Sequence, residues 1–357
     1  MTTIIPVPGT QARECYKTAA PPYPIDLHLS GNEGAAPPRD LLLELSDADI
    51  EGLRSYPCAA ELESALAKKC GVDSGQVLVT AGGDEALDRA CRTMLAQGRK
   101  MLLPWPSFVM LEKYALMARA KVVKIAWPSG PYPTRQVIDA IDGDTALIAV
   151  VSPNNPTGAV ATPLDLELLS AAAPAAMLMV DLAYGEFADV DLTPTALRLP
   201  NAVVFKTLSK AWGIAGLRVG YCVGAKEVVS WLRAAASPYS VSGLSMTLAL
   251  RHISSNSSIV ARSVDAVRRR RPLLEAQLAE LGARPLPSQA NFVMCRPRQG
   301  SLHLSDGLAR RGIAVRSWPG DALLEGAVRI TCPTETSDFD RLRVALDEVL
   351  GADRRKT

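Results

Sequence analysis

Histidine is scarce in this chain: His28, His252 and His303 are the only three in 357 residues. None stands at metal-ligand spacing from another histidine or a cysteine, so no dedicated metal site is read. Acid–base chemistry therefore has to rest on another side chain. Long apolar runs are missing as well. No stretch reaches the roughly 18–20 residues of a membrane span, and the richest, around 146–152 and 171–180, are strand-length. The opening MTTIIPVPGTQARECYK has no charged segment followed by an apolar one, so no signal peptide is read. Both absences lead to the expectation of a soluble, cytoplasmic protein. Paired cysteines are absent too. The seven present (Cys15, Cys58, Cys70, Cys91, Cys222, Cys295, Cys332) are odd in number and form no CxxC, as expected of reduced thiols packed as small hydrophobes. Nor is there an excess of charge: 39 Lys and Arg against 37 Asp and Glu leave a net +2. That argues against a nucleic-acid binder, which needs a concentrated basic face, and against an acidic disordered chain.

What is present is an ordinary globular composition, 48% apolar and 21% charged, at a length that allows two or three domains. Residues 1–25 carry Pro6, Pro8, Pro21, Pro22 and Pro24 and read as an irregular arm. A helical pattern starts at Asp40, and residues 61–70 (ELESALAKKC) form a helix stopped by Gly71. Short β-branched or apolar runs follow at 77–80, 101–103, 121–126, 145–151, 177–180, 202–206 and 219–223, separated by helical segments such as 84–96. Continuous apolar strands alternating with helices predict an α/β unit with a mostly parallel sheet. Next comes a helical stretch over 245–281 with Pro272 near a break. It is followed by a strand at 290–295, a helix at 301–311, strands at 313–317 and 328–331, and a helix at 339–350. The expected division is an arm over 1–25, a large unit over 26–245 and a small α+β unit over 246–357, the last joined by part of the arm. The basic run 268–271 is expected to be a solvated helix face.

Four clusters carry the chemistry. Ala81-Gly82-Gly83-Asp84-Glu85 follows a strand and opens a helix, where glycines let backbone N–H groups approach an anion. Plain steric need of a tight turn explains such glycines equally well. SPNNPTG (152–158) is a rigid turn that presents Asn155 at the carboxyl end of a parallel strand, the edge where ligands bind in such sheets. Asp181-Leu182-Ala183-Tyr184 also stands at a strand end; an acidic residue there can meet a positively charged ring nitrogen or simply cap a helix. In TLSKAWGIAGLRVGY (207–221), Lys210 can form a Schiff base when its amine is partly deprotonated. Thr207, Ser209 and Arg218 there can hold a phosphate by charge-assisted hydrogen bonds.

In this order the clusters resemble those of the fold-type I pyridoxal-phosphate enzymes. Among these the chain is most similar to the class I/II aminotransferases of the histidinol-phosphate aminotransferase group, over about residues 29–350. The resemblance implies the corresponding fold: a large domain with a seven-stranded type of mostly parallel sheet flanked by helices, and a smaller α+β domain. It implies pyridoxal 5'-phosphate as cofactor and Lys210 as the Schiff-base lysine that later shuttles a proton. Asp181 would pair with the pyridinium nitrogen and keep the ring an electron sink. Asn155 and Tyr184 would hydrogen-bond the ring hydroxyl oxygen, stabilising its anion and depressing the Schiff-base pKa. Gly83, Asp84, Thr207, Ser209 and Arg218 would bind the phosphate, and Phe108 would stack on the ring. Tyr56 would reach the phosphate of a neighbouring subunit, which implies a homodimer with shared sites. Arg329 would grip the substrate carboxylate, with Arg316 as a second substrate arginine and Asn32 and Glu33 near the entrance.

The chain departs from the group's pattern at Gly34, where asparagine is expected, and at Phe108, Leu111, Cys58, Ala59 and Ala81. All lie where substrate or a second subunit approaches. They are read as a hint that the substrate is not histidinol phosphate itself. The implied activity is transfer of an amino group between an amino acid or amino-alcohol phosphate and a keto acid. The alternative is a lyase on the same cofactor, such as a decarboxylase of a phosphorylated amino acid, or another enzyme of specialised metabolism that uses it. The bond that breaks depends on its angle to the ring, which residue types do not report.

Overall fold

The computed structural model describes residues 22–43 and 45–351. The arm expected over 1–25 thus lies outside the described residues apart from 22–25, and Cys15 lies outside them with it. Seven strands form the main sheet: β2 (Val77–Thr80), β3 (Lys100–Trp105), β4 (Lys121–Ala126), β5 (Thr145–Val151), β6 (Met177–Asp181), β7 (Ala202–Thr207) and β8 (Gly220–Gly224). Their order is β2-β8-β7-β6-β5-β3-β4. All neighbours pair in parallel except those of β8, which is antiparallel to both β2 and β7. Every residue of β5 and β6 is buried, which is why both read as unbroken apolar runs rather than as alternation. Helices cover both faces. One layer of core gathers around Leu103, Leu111, Met179 and Phe205. The other gathers around Leu102, Ile148, Leu166 and Val204.

A separate antiparallel sheet has the order β11-β12-β9, from Arg316–Ser317, Val328–Thr331 and Phe292–Cys295. In addition β1 (Leu27–His28) lies parallel to β10 (Ile313–Ala314). The strand expected over 313–317 is therefore two strands in two sheets. Ala314 pairs with His28 and Arg316 with Arg329, and the chain changes partner across Val315. The long helical stretch also breaks elsewhere than expected. One helix ends at Ser255 and the next, Ser257–Glu280, carries Pro272 in its interior. The interruption is at Asn256, whose backbone N–H caps the first helix on the His252 carbonyl at 2.9 Å. Pro272 deprives the helix of a single donor, and the flanking turns remain packed through Val267, Arg271 and Leu274.

The basic run is not a solvated face. Arg271 is buried and donates to the carbonyls of Phe187 and Ala290 at 3.3 and 3.0 Å. Arg268 donates to the carbonyls of Glu186, Phe187 and Ala188. Arg270 takes those of Pro333 and Thr334 and the Thr336 hydroxyl. Only Arg269 of the four is exposed. Guanidinium groups suit this task because each presents several fixed donors to carbonyls that lack ladder partners. The helix thereby clamps the loop after Tyr184, the entry to β9 and the exit from β12. Replacing Arg271 with Leu leaves the Ala290 carbonyl without this donor, while Phe187 keeps that of Arg268, and we expect a loss of about 1–3 kcal/mol, read as a lowered urea midpoint with an unchanged slope.

Candidate active site

Strands β5, β6 and β7 run the same way, so Val151, Asp181 and Thr207 end at one edge of the sheet. β2 and β3 run with them and lead at that edge into Gly82 and Phe108, while the antiparallel β8 starts there, just after Arg218. A cavity of about 350 Å³ opens on this edge, the place where parallel sheets bind ligands and a size usual for small-molecule sites.

One end of the cavity is built for an anion. Gly83 and Asp84 lie in the first turn of the helix Gly82–Met94, with Gly82 at φ +82°. A Cβ at Gly220 would stand 2.5 Å from the carbonyl carbon of Gly82, so the two turns meet only because Gly220 lacks a side chain. Thr207 and Ser209 share a hydroxyl–hydroxyl bond of 2.9 Å, and Arg218 Nη2 lies 3.3 Å from Asp84 Oδ2. Helix N–H groups, two hydroxyls and a guanidinium thus line the same end of the cavity.

Elsewhere in the cavity lies the opposite demand. Burial pushes the Asp181 carboxyl up to about 7; the Ala183 N–H, 3.0 Å away, pulls it back and Asp84 adds to the rise. A ring N–H⁺ against Asp181 and a phosphate at the helix start would satisfy both demands together, so the residues present fit pyridoxal phosphate. Phe108 and Tyr184 line the same cavity. Lys210 is half-buried there, its Nζ 2.7 Å from the Gly31 carbonyl and 5.8 Å from the centre of the Tyr184 ring.

Arg329 closes the cavity from β12. It donates to Asn155 Oδ1 and, at 2.6 Å, to the Ser30 carbonyl, and its guanidinium stands 5.1 Å from the Phe292 ring centre. Arg316 is its register partner across β11, and both guanidinium groups lie 5.8 Å from the Trp318 ring centre. Arg316 itself does not line the cavity. Neither does Tyr56, which is 81% exposed and stacks on Tyr239 at 4.4 Å. Asn32 does line it, but its amide is engaged with Tyr184 and Thr331. The glycine at position 34 has a steric cause: a Cβ there would lie 1.9 Å from the Lys210 carbonyl oxygen.

Sequence reading missed Leu87, Met110 and Tyr114 in the cavity wall. The last two are one helical turn apart on Val109–Met117, directly after Phe108, and that i, i+4 spacing was the available signal.

Without cofactor, the raised Asp181 makes the folded state the better proton binder. Its contribution to stability is complete below pH 3.8 and is lost as pH rises to about 7. We expect the cofactor-free protein to lose up to about 4 kcal/mol across that window relative to Asp181→Asn. Urea unfolding of both proteins at several pH values measures it; identical pH profiles would contradict it.

Comparison with known proteins agrees with this geometry. Residues 29–346 match the family "Aminotransferase class I and II". A histidinol-phosphate aminotransferase of Caldanaerobacter subterraneus subsp. tengcongensis is 33% identical over 82% of this chain and 83% of its own length. An aromatic amino acid aminotransferase of Corynebacterium efficiens is 32% identical over 90% of this chain and 93% of its own. Among solved structures, a histidinol-phosphate aminotransferase of Sinorhizobium meliloti in complex with pyridoxal-5'-phosphate superposes with a TM-score of 0.79 at 23% identity, covering 92% of this chain and 91% of the other. These relatives favour amino transfer over the lyase alternative. The chain belongs to the class I and II aminotransferases and is a pyridoxal-phosphate-dependent enzyme that transfers amino groups.

Proposed function

We propose that the donor is an anionic amino compound with a flat ring, either an amino acid or an amino-alcohol phosphate, and that the acceptor is a keto acid. The observation that carries this is the run of ring contacts Tyr184–Phe292–Arg329–Trp318–Arg316, which sets two guanidinium groups among aromatic rings, with Lys210 near its Tyr184 end. Arg329 binds the carboxylate or equivalent end of the donor, and Arg316 binds a second anionic or polar group. Histidinol phosphate and aromatic amino acids, in the names of the relatives, both denote ring-bearing donors.

When bound, pyridoxal phosphate supplies the electron sink for the bond that breaks at Cα. The chain supplies the rest. Lys210 would hold the cofactor covalently through Nζ, and the same Nζ would take and carry the proton that leaves the donor's Cα. Asp181 would hold a proton on the ring nitrogen, Asn155 and Tyr184 would hold the ring oxygen, and Phe108 would pack against the ring. Gly83, Asp84, Thr207, Ser209 and Arg218 anchor the phosphate. Tyr56 contributes from a second copy; its exposure outside its own cavity supports a homodimer with shared sites. The division at residue 245 belongs to the same proposal; β1 pairs with β10, so Leu27 and His28 are counted with the small unit rather than with the large one over 26–245. A cytoplasmic location is part of it too. Among the described residues no helix is long and apolar enough to cross a membrane.

A panel of donors including histidinol phosphate and the aromatic amino acids tests the function. A productive donor bleaches the visible band of the loaded enzyme and yields its keto product or aldehyde in equal amount. Carbon dioxide release without that product would overturn it. Lys210→Ala should slow the bleaching by about 10²–10⁴-fold or more. Sedimentation should return twice the chain mass, and Tyr56→Ala should weaken retention of the cofactor.

A further inference from the structure

Gly31 and Asn32 line the cavity, and Asn32 is the fixed point of this segment. It is 1% exposed and stands at φ +57°, a left-handed conformation that asparagine tolerates better than most residues. Each of its polar atoms has a partner. The backbone N–H donates to Thr331 Oγ1 at 3.2 Å, and the carbonyl accepts from Asn291 Nδ2 at 3.1 Å. The side-chain Nδ2 donates to the Tyr184 hydroxyl oxygen at 3.0 Å, and Oδ1 faces Thr331 Oγ1 at 3.0 Å.

The direction of these bonds matters. The Thr331 hydroxyl has one proton and two acceptors in reach, Asn32 Oδ1 at 3.0 Å and the Leu29 carbonyl at 2.8 Å. The Leu29 carbonyl also accepts the Thr331 backbone N–H at 3.0 Å on its other lone pair. The Asn32 amide sits with its oxygen towards the hydroxyl and its nitrogen towards Tyr184, so the hydroxyl proton serves Oδ1. An amide that accepts on the Thr331 side must donate on the other. Its N–H then points at the Tyr184 oxygen, and the phenol keeps its own proton free for the cavity. Phe292, the register partner of Thr331, packs edge-on against the Tyr184 ring at 5.1 Å. One position in the small sheet thus holds both the ring and, through Asn32, the hydroxyl.

We propose that Asn32, oriented by Thr331, is a positioning residue that makes Tyr184 a hydrogen-bond donor to the ring oxygen of the cofactor. This rests on the reading that Tyr184 meets that oxygen. It moves Asn32 from substrate contact to control of the tyrosine.

The test is the pH midpoint of the visible band in protein loaded with pyridoxal phosphate, read without substrate. Donation from Tyr184 stabilises the anionic oxygen and lowers the midpoint. Tyr184→Phe should raise it. Thr331→Val, which removes the hydroxyl and keeps the shape, should raise it by about half a pH unit or more. Thr331→Ser should restore the wild-type value, and the Thr331→Val/Tyr184→Phe pair should rise no further than Tyr184→Phe alone. A Thr331→Val midpoint at or below wild type, with Tyr184→Phe raised, overturns the inference and leaves the proposed function standing. The opposite amide orientation would produce that result. An unmoved midpoint in Tyr184→Phe overturns the placement of Tyr184 and the inference with it. If Thr331→Val does not fold, Thr331→Ala takes its place. Failure of both to fold would make Thr331 a structural residue only and would also overturn the inference.

Discussion

Arg329 is the joint on which the site depends. Its guanidinium reaches Asn155 in the loop after β5 and the Ser30 carbonyl in the entrance segment, from a strand of the small sheet. Three stretches of chain far apart in sequence meet on one buried cation. A buried guanidinium is tolerated only when its donors are satisfied and its charge is compensated, so the partners of Arg329 are themselves held in place. The aromatic faces of Phe292 and Trp318 on the same group add the weaker attraction that planar cations find over π systems. An incoming carboxylate completes the compensation.

The charge economy of the molecule follows the same logic. Net charge is nearly zero, yet single charges are placed in sharply different surroundings. Arg218 and Asp84 form a half-exposed pair, each side chain about half accessible, where water screens both and a phosphate can displace one partner at little cost. Asp181 is sealed at a strand end, where burial favours its neutral form. The two ends of the cavity therefore ask for opposite charges.

Much of this was legible in the sequence. The buried strands 145–151 and 177–180 announced themselves as unbroken apolar runs, and the parallel sheet places Asn155, Asp181 and Lys210 along one edge. What stayed hidden depended on contacts between distant segments. The arginine run looked solvated because a run of like charge does not show that unpaired carbonyls at Phe187, Ala290 and Pro333 would fold back onto it. Pro272 looked like a break because helix rules price the missing donor and not the packing that outweighs it. The glycine at position 34 read as a departure in chemistry, whereas its cause is the closeness of the Lys210 carbonyl.

The arginine-bearing helix has a consequence for how the molecule opens. Its guanidinium groups hold the carbonyls of Glu186, Phe187 and Ala188, just beyond Tyr184. Loops of this kind normally exchange their amides on their own, at a low opening energy. Here the loop cannot leave while the helix stays, so the two form one cooperative unit. Local breathing that would blur the tyrosine is converted into a larger and rarer event. The stretch of chain that follows Tyr184 is thereby held to the stability of the whole helix.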